Sequence, residues 1–394
     1  MSPDEYYLAP PLRAPELHIP PSSATASVSV IDTGARADLP ITHFLTPTIA
    51  TKTRLTGPAY AFLITHCASS RRVVFDLSIR PDVHNLAPAL VARIQDPGNG
   101  WRVTPPPRHG NVADVLRGGG VDLGSVQAVI WSHGHWDHVG DPSTFPPETD
   151  LVVGPGFRAE MMPGWPVREG AVLKEEDWAE RAVREVVFDQ GLRIGGFEAV
   201  DFWGDGSFYL LSTPGHAVGH LAGLVRVRSA GDGGGRDAFV FMGGDIAHHA
   251  SQLRPSPYRP LPRTISPDPL LPISSTPTSS SCPATLFTPL HPDPDPLRKA
   301  TTPFCIPAPG LPSDYDACLR SVQGCIGFDA CDDVLVVLAH DESLLGVLGD
   351  GEGAEHGKWL FPNTLDRWRE EGLGELARWR FLADFSEGVD QKKV

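Results

Sequence analysis

Short apolar runs recur along the chain at positions that predict strands, and several of them lead directly into a histidine or an aspartate. Residues 27–32 alternate Val and Ile with Ser, the two-residue period of a half-buried strand. Residues 59–65 and 72–76 predict two further strands joined as a hairpin through 67–71, the second ending in Asp76. Residues 126–131, 208–211, 239–242 and 334–338 are nearly continuous apolar runs, as buried strands require. These four lead into His133, His216, Asp245 and His340. A tight turn at Gly204 to Gly206 joins 197–202 to 208–211 as a hairpin.

Helix signals lie between the strands. Residues 86–94 predict a short amphipathic helix. Asn111 is placed to N-cap a helix that runs through Leu116 and stops at Gly118 to Gly120. The charged stretch 173–184, which carries Trp178, predicts a surface helix or lid. Residues 316–328 have helical period, with Cys318 and Cys325 on one face. Residues 363–385 predict one or two amphipathic helices packed on a sheet through Trp368, Trp379, Phe381 and Phe385. Strands that end in polar side chains, with helices between them, fit an α/β fold arranged as a four-layer αββα sandwich.

Two regions do not fit that pattern. Residues 1–26 are rich in Pro, Ala and Ser and predict an extended arm over the surface. Residues 251–310 hold 16 of the chain's 40 prolines, which excludes an interior helix or a central strand. The expected organisation is an arm (1–26), a main domain built from 27–250 and 313–394, and a Pro/Ser-rich insertion (251–312). That insertion is either a surface excursion or a cover over a site mouth. Residues 231–235 predict a flexible glycine hairpin loop, too irregular for a phosphate cradle.

With 394 residues the chain can bury a substantial core. A formal charge of −15 weighs against nucleic-acid binding, which draws its affinity from basic patches. No run reaches the ~20 apolar residues of a membrane span, and the first residues, with Asp4 and Glu5, lack a signal pattern. The six cysteines show no C-x-x-C and are expected to be reduced thiols. The expected setting is the cytoplasm.

The candidate chemistry is concentrated in Ser-His-Gly-His-Trp-Asp-His, residues 132–138. Imidazole nitrogens and carboxylates suit Zn²⁺, and Mn, Fe or Co less exclusively. His133 and His135 lie two apart on a chain leaving a strand, so both can point at one ion. Asp137 and His138 follow where the chain turns towards a helix, and can reach a second ion beside the first. Leu-Leu-Ser-Thr-Pro-Gly-His (210–216), Phe-Met-Gly-Gly-Asp (241–245) and Val-Val-Leu-Ala-His (336–340) supply further ligands in order. There is no G-x-S-x-G elbow and no H-E-x-x-H.

This succession resembles the metallo-β-lactamase-fold hydrolases over roughly 27–250 and 313–345, and T-P-G-H-x-x-G-H at 213–220 is most similar to the N-acyl homoserine lactonase branch. The resemblance implies two zinc ions per chain. His133, His135 and His216 would hold one, Asp137, His138 and His340 the other, and Asp245 would bridge them. It also implies a supporting role for Asp76 and a structural one for His220. A hydroxide between two ions ~3.5–4 Å apart is a nucleophile at neutral pH, with Asp137 orienting it. The implied substrate is a small lactone or related ester. A thioester, a lactam, or a non-catalytic metal-binding scaffold are the alternatives. Lactonases of this branch carry a Tyr three residues after the bridging Asp. Here that place is His248, followed by His249; either is a replacement donor or acid, or both are solvated loop residues. Asp245 replaces the Cys of the true β-lactamases, and His135 the Glu of the flavodiiron branch. Substrate choice would lie in loops near 43–58, 155–185 and 246–275, with Trp136 and Trp203 as candidate walls of the mouth.

Overall fold

The structure, a computed structural model, describes residues 6–106, 110–231, 235–272, 280–349 and 358–391. Its frame is two six-stranded sheets. The first contains β1 (Ala26–Ile31), β2 (Ala61–His66), β3 (Arg72–Phe75), β4 (Val126–Ile130), β5 (Asp150–Val153) and β6 (Val183–Glu185), in that spatial order. The second contains β7 (Arg193–Ile194), β8 (Phe197–Asp201), β9 (Phe208–Ser212), β10 (Leu221–Arg228), β11 (Ala238–Met242) and β12 (Val334–Val337), again in chain order.

Side-chain alternation explains why these strands stack as a sandwich. Phe62, Phe75, Ile130 and Val152 from the first sheet meet Phe208, Leu210, Val240 and Val337 from the second in a shared central core. The intervening residues point the other way. Leu63, Val74, Val129 and Leu151 face an outer core that is covered by helix α1 (Val112–Gly118). Tyr209, Leu224, Phe241 and Val336 face another that is covered by helix α2 (Tyr315–Asp329). The result is the αββα sandwich. Each fully buried Phe contributes on the order of 1.5–3 kcal/mol. The Asn111 cap of α1 is completed by Asp114, whose carboxylate accepts from the Asn111 backbone N–H at 2.9 Å. Cys318 and Cys325 share the buried face of α2, and none of the six cysteines is in a disulfide.

Strand direction brings the polar strand ends together. β3, β4 and β5 are parallel. β9 and β11 are each antiparallel to β10, hence parallel to one another, and β12 is parallel to β11. The carboxyl ends of β3 and β4 therefore share one edge of their sheet, and those of β9, β11 and β12 share one edge of theirs. The bond from Leu221 N–H to the Ser132 carbonyl, 2.8 Å, ties the two sheets there.

Several expectations are corrected. The stretch 173–184 is not a helix. Leu173 and Trp178 are buried under the first sheet, so the chain makes a single 3-10 turn at Glu175–Asp177 and then adds the edge strand β6. Residues 363–385 do not form one long helix on the sheet either. Turns lead to a short helix (Leu373–Arg378) and a 3-10 segment (Arg380–Phe385). Trp368 and Leu373 do pack on the central core. Trp379, Phe381 and Phe385 instead join Leu261, Phe287 and Phe304 of the proline-rich segment in a separate hydrophobic core. That segment is held to the protein by the apolar side chains it buries there, although Leu271, Leu297 and Ile306 stay exposed and its regular structure is confined to short pieces such as the helix Pro296–Thr301. The arm also contributes buried residues: Leu17 packs on the second outer core and Ala9 on the proline-rich one. The glycine loop expected at 231–235 falls largely outside the described residues, but β10 and β11 on either side of it pair as a hairpin.

A buried ion pair fastens these peripheral parts to the sandwich. Arg254 of the proline-rich segment donates to both oxygens of Asp329 at the end of α2, and to the Arg378 carbonyl at 2.6 Å. Burial works against ionisation of Asp329, but Arg254 and Arg378 hold its carboxyl down to about 2, against an ordinary 3.8. The stabilisation is therefore complete above about pH 4 and is lost as pH falls towards 2. Asp329→Ala should cost about 3–5 kcal/mol, since it strands a buried guanidinium. The loss should appear as a lower denaturant midpoint at neutral pH; an unchanged midpoint would refute the anchoring role.

Candidate metal centre

The site is built by chain turns at the converging strand ends. After β4, His133 follows in a bend, His135 is extended at the cap of a one-turn helix (Trp136–Val139), and that helix presents Asp137 and His138. After β9 the chain turns through Gly215, whose φ is 126°. A Cβ there would lie 2.0 Å from the Cys318 backbone nitrogen, so only glycine lets the His216 turn nest against α2. After β11, Gly244 has φ 50° and sits against His220 and Ser132, which brings Asp245 to the centre. His340 follows β12.

These turns gather two sets of ligand atoms. His133, His135, His216 and Asp245 form one, and Asp137, His138 and His340 the other; within each set the ligand atoms lie within 4.8 Å of one another. Asp245 stands between them. Its Oδ2 is 3.2 Å from His216 Nε2 and 3.7 Å from His133 Nε2. Its Oδ1 is 3.0 Å from His138 Nε2 and 3.1 Å from His340 Nε2.

The outer nitrogens are already committed. His138 Nδ1 donates to Asp76 at 2.8 Å, and His340 Nδ1 donates to the Pro58 carbonyl at 2.6 Å. Asp76 also accepts from Ser132 N–H and Oγ, at 2.6 and 2.8 Å. Such partners fix which ring nitrogen keeps its lone pair for an ion. His220 accepts the Asp245 backbone N–H on Nε2 at 3.0 Å and meets Thr213 Oγ1 at 2.8 Å, so it positions Asp245.

The fit to cations is visible in what remains. His138 Nε2 faces His340 Nε2 at 3.1 Å, and His135 Nδ1 faces His216 Nε2 at 3.0 Å. Buried His133 Nε2 and Asp245 Oδ1 have no hydrogen-bond partner. Ring nitrogens crowded about one buried carboxylate repel one another when protonated, and a cation among them relieves that cost.

Electrostatics divide the histidines. Burial, with His138 next, pushes His133 well below the ordinary histidine value; burial and then His216 do the same to His135. Burial takes His220 to about 3 and His248 to about 4. For His138 burial also opposes charge, but Asp245 and Asp76 outweigh it and raise the value well above normal; Asp245 raises His340 in the same way. Asp245 is held well below the carboxylate range, because His138 and His340 overcome the effect of its burial.

The ligands open on a cavity of about 470 Å³. Its walls come largely from outside the sandwich. Ala37, Leu39, Leu55 and Gly57 belong to a small three-stranded sheet (Arg36–Pro40, Arg54–Gly57, Arg102–Thr104). Phe44, Leu90, Arg93, Asn99, Trp101, Met161 and Val172 complete the walls, with Gly310 and Leu311 at the end of the proline-rich segment. Of the loops expected to shape it, 43–58 and 155–185 do so; among the described residues of 246–275, His248 alone contributes. The stretch 90–101 was not anticipated, since nothing in its polarity pattern marks it as a wall. Trp136 lines the cavity, whereas Trp203 does not: it packs on His66 and Phe208. His248 and His249 are both buried rather than solvated. His248 Nε2 faces the cavity 3.1 Å from Asp245 Oδ2, and His249 turns away to Asp384 at 2.8 Å.

A histidine-and-carboxylate cluster at the shared edge of an αββα sandwich defines a metallo-hydrolase site, and the chain belongs to the metallo-beta-lactamase superfamily. Residues 94–229 match the family profile described as Metallo-beta-lactamase superfamily. Gamma-lactamase FDB1 of Fusarium pseudograminearum is 40% identical over 389 residues, which span 96% of this chain and 87% of that one. Metallo-hydrolase mfmC of Annulohypoxylon moriforme is 41% identical over 376 residues, 95% and 91% of the two chains. The chain spans only 40% of the length of three Penicillium relatives named as cytochrome P450 monooxygenases. A solved B. thuringiensis AiiA variant with N-decanoyl-L-homoserine bound aligns over 88% of this chain and 100% of its own, with TM-score 0.52. At 12% identity that likeness is one of fold.

Asp76 is the partner to remove first. Asp76→Asn should lower metal affinity about 10–100-fold, measured by competition with a chelator. Because a metal must displace protons held on His138 and His340, uptake should strengthen as pH rises through neutrality. Affinity independent of pH would contradict that reading.

Proposed function

We propose that the chain opens the ring of a small cyclic carbonyl compound, a lactone or a γ-lactam, with two divalent metal ions, zinc for preference. The observation that carries this is the pair of histidine and carboxylate sets with Asp245 standing between them, at the floor of one largely apolar cavity. His133, His135 and His216 would hold one ion, and Asp137, His138 and His340 the other, with Asp245 common to both. When bound, two such ions acidify a water and polarise a carbonyl.

The remaining steps belong to side chains. Asp137, with Oδ2 3.5 Å from His340 Nε2 and its carboxylate on the cavity surface, orients the attacking water and accepts its proton. His248 stands where lactonases of the resembled branch carry Tyr, and its neutral imidazole is placed to hydrogen-bond the substrate oxygen. His249 is excluded from that task by its bond to Asp384. The apolar walls around the cavity exclude bulk water and take the non-reacting part of the substrate. The lactam reading is favoured by the name of the near-full-length relative, Gamma-lactamase FDB1. The lactone reading is favoured by the His216–His220 motif.

Elemental analysis of protein purified without added metal should give about two ions per chain. Ring opening of a γ-lactone or a γ-lactam should add one water, releasing an acid equivalent in the lactone case, and should stop on chelation. Asp245→Ala should lose both metal and turnover; retained activity would sink the shared-ligand assignment. Release of thiol from an acyl thioester, with both rings left intact, would replace this reading with a thioesterase.

A further inference from the structure

The cavity carries a polarity of its own, independent of the metal ligands. Apart from Asp137 and Asp245, the only Asp, Glu, Lys or Arg lining it among the described residues is Arg93. Arg93 lies on the helix Pro88–Gln95, three residues after Leu90, so both side chains face the same cavity wall. The Arg93 guanidinium lies 5.0 Å from the centre of the Trp101 ring. Trp101 in turn stacks near Trp136, at 6.3 Å and 23°. Trp136 is the residue before Asp137. One wall thus runs from the metal ligands along two indole rings to a guanidinium at the open end.

That guanidinium is available to a ligand. Arg93 is exposed, and no carboxylate among the described residues pairs with it. Its neighbours do not compensate it. Asn99 Nδ2 donates to the Arg93 carbonyl at 2.8 Å, which fixes the backbone and leaves the side chain free. His43, on the facing wall, is discouraged from charging by burial, then by Arg93 and Arg54. Arg54 itself is spent on Asp38 at 2.6 Å. An unpaired cation at the mouth of an apolar cavity, in a chain of net charge −15, selects for an anion.

We propose that Arg93 is a specificity determinant: it receives a carboxylate at the far end of a flat substrate whose body lies along Trp101 and Trp136 and whose reacting carbonyl faces Asp137 and Asp245. This rests on the ring-opening reading for the position of the carbonyl, but the anion site can be tested without turnover. In the metal-loaded protein, 2-naphthoate should quench tryptophan fluorescence with a Kd about tenfold below that of neutral 2-naphthamide. Arg93→Gln should erase the difference and Arg93→Lys should restore part of it. Equal affinities in the wild type, or a difference that survives Arg93→Gln because the carboxylate sits on the metals instead, would overturn the proposal.

Turnover provides the second arm. N-(4-carboxybenzoyl) homoserine lactone should exceed N-benzoyl homoserine lactone in kcat/KM by about tenfold, and the ratio should fall to near one in Arg93→Gln. A wild-type preference for the neutral lactone would count against the anion site. If neither lactone is opened while naphthoate binding still depends on Arg93, the lactone reading fails and the anion site stands.

Discussion

A carboxylate buried among histidine nitrogens is the constraint around which this molecule is organised. Asp245 has five imidazole nitrogens, of His133, His138, His216, His248 and His340, within 3.7 Å of its oxygens. Left to themselves, such groups would spread apart or take up protons. The protein holds them by committing their outer atoms elsewhere: Asp76 to His138, the Pro58 carbonyl to His340, and His220 to the Asp245 backbone. The glycine turn at 244 leaves no room for a Cβ beside His220 and Ser132, and the one at 215 none beside the Cys318 backbone. The sandwich supplies the rigid edge on which this can be done, since its strand ends are fixed by a core that neither sheet could complete alone.

The legible part of this arrangement was the part with a period. β3, β4, β9, β11 and β12 were readable as apolar runs, and the cluster of histidines and aspartates was readable with them because each run leads into one of its members or, at β3, into Asp76. The helix over 316–328 and the Asn111 cap were equally readable. The arrangement of the proline-rich segment was not. Its buried Leu261, Phe287 and Phe304 have no regular spacing, because prolines set the chain's course there and the side chains bury wherever it passes. The stretch 173–184 failed for a related reason: its charged residues suggested a solvated helix, while two apolar ones, Leu173 and Trp178, fixed its path against the first sheet.

The cavity was the least legible feature. Its floor is made of motif residues, but its walls come from a small sheet outside the sandwich and from 90–101. Long-range contacts of that kind leave no local trace. Trp101 illustrates the point: only the fold shows that it lies between Arg93 and Trp136. The division is a physical one. The ligands must sit at strand ends, whereas walls can be contributed by any loop of the right reach, so the chemistry is written in motifs and the substrate is not.

The loop that carries His248 is held from a distance. Its next residue, His249, bonds Asp384, whose other oxygen pairs with Lys52 at 2.9 Å; Lys52 in turn reaches Glu342 at 2.7 Å. His249 and Lys52 hold the Asp384 carboxyl down at about 2 despite its burial. During synthesis every ligand has been made once residue 340 is added, yet the clamp on this loop does not exist until some forty residues later. The His248 loop therefore depends on a residue some forty positions beyond the last of the motifs, so a chain cut before Asp384 would keep the whole cluster of histidines and carboxylates and lose the clamp beside it.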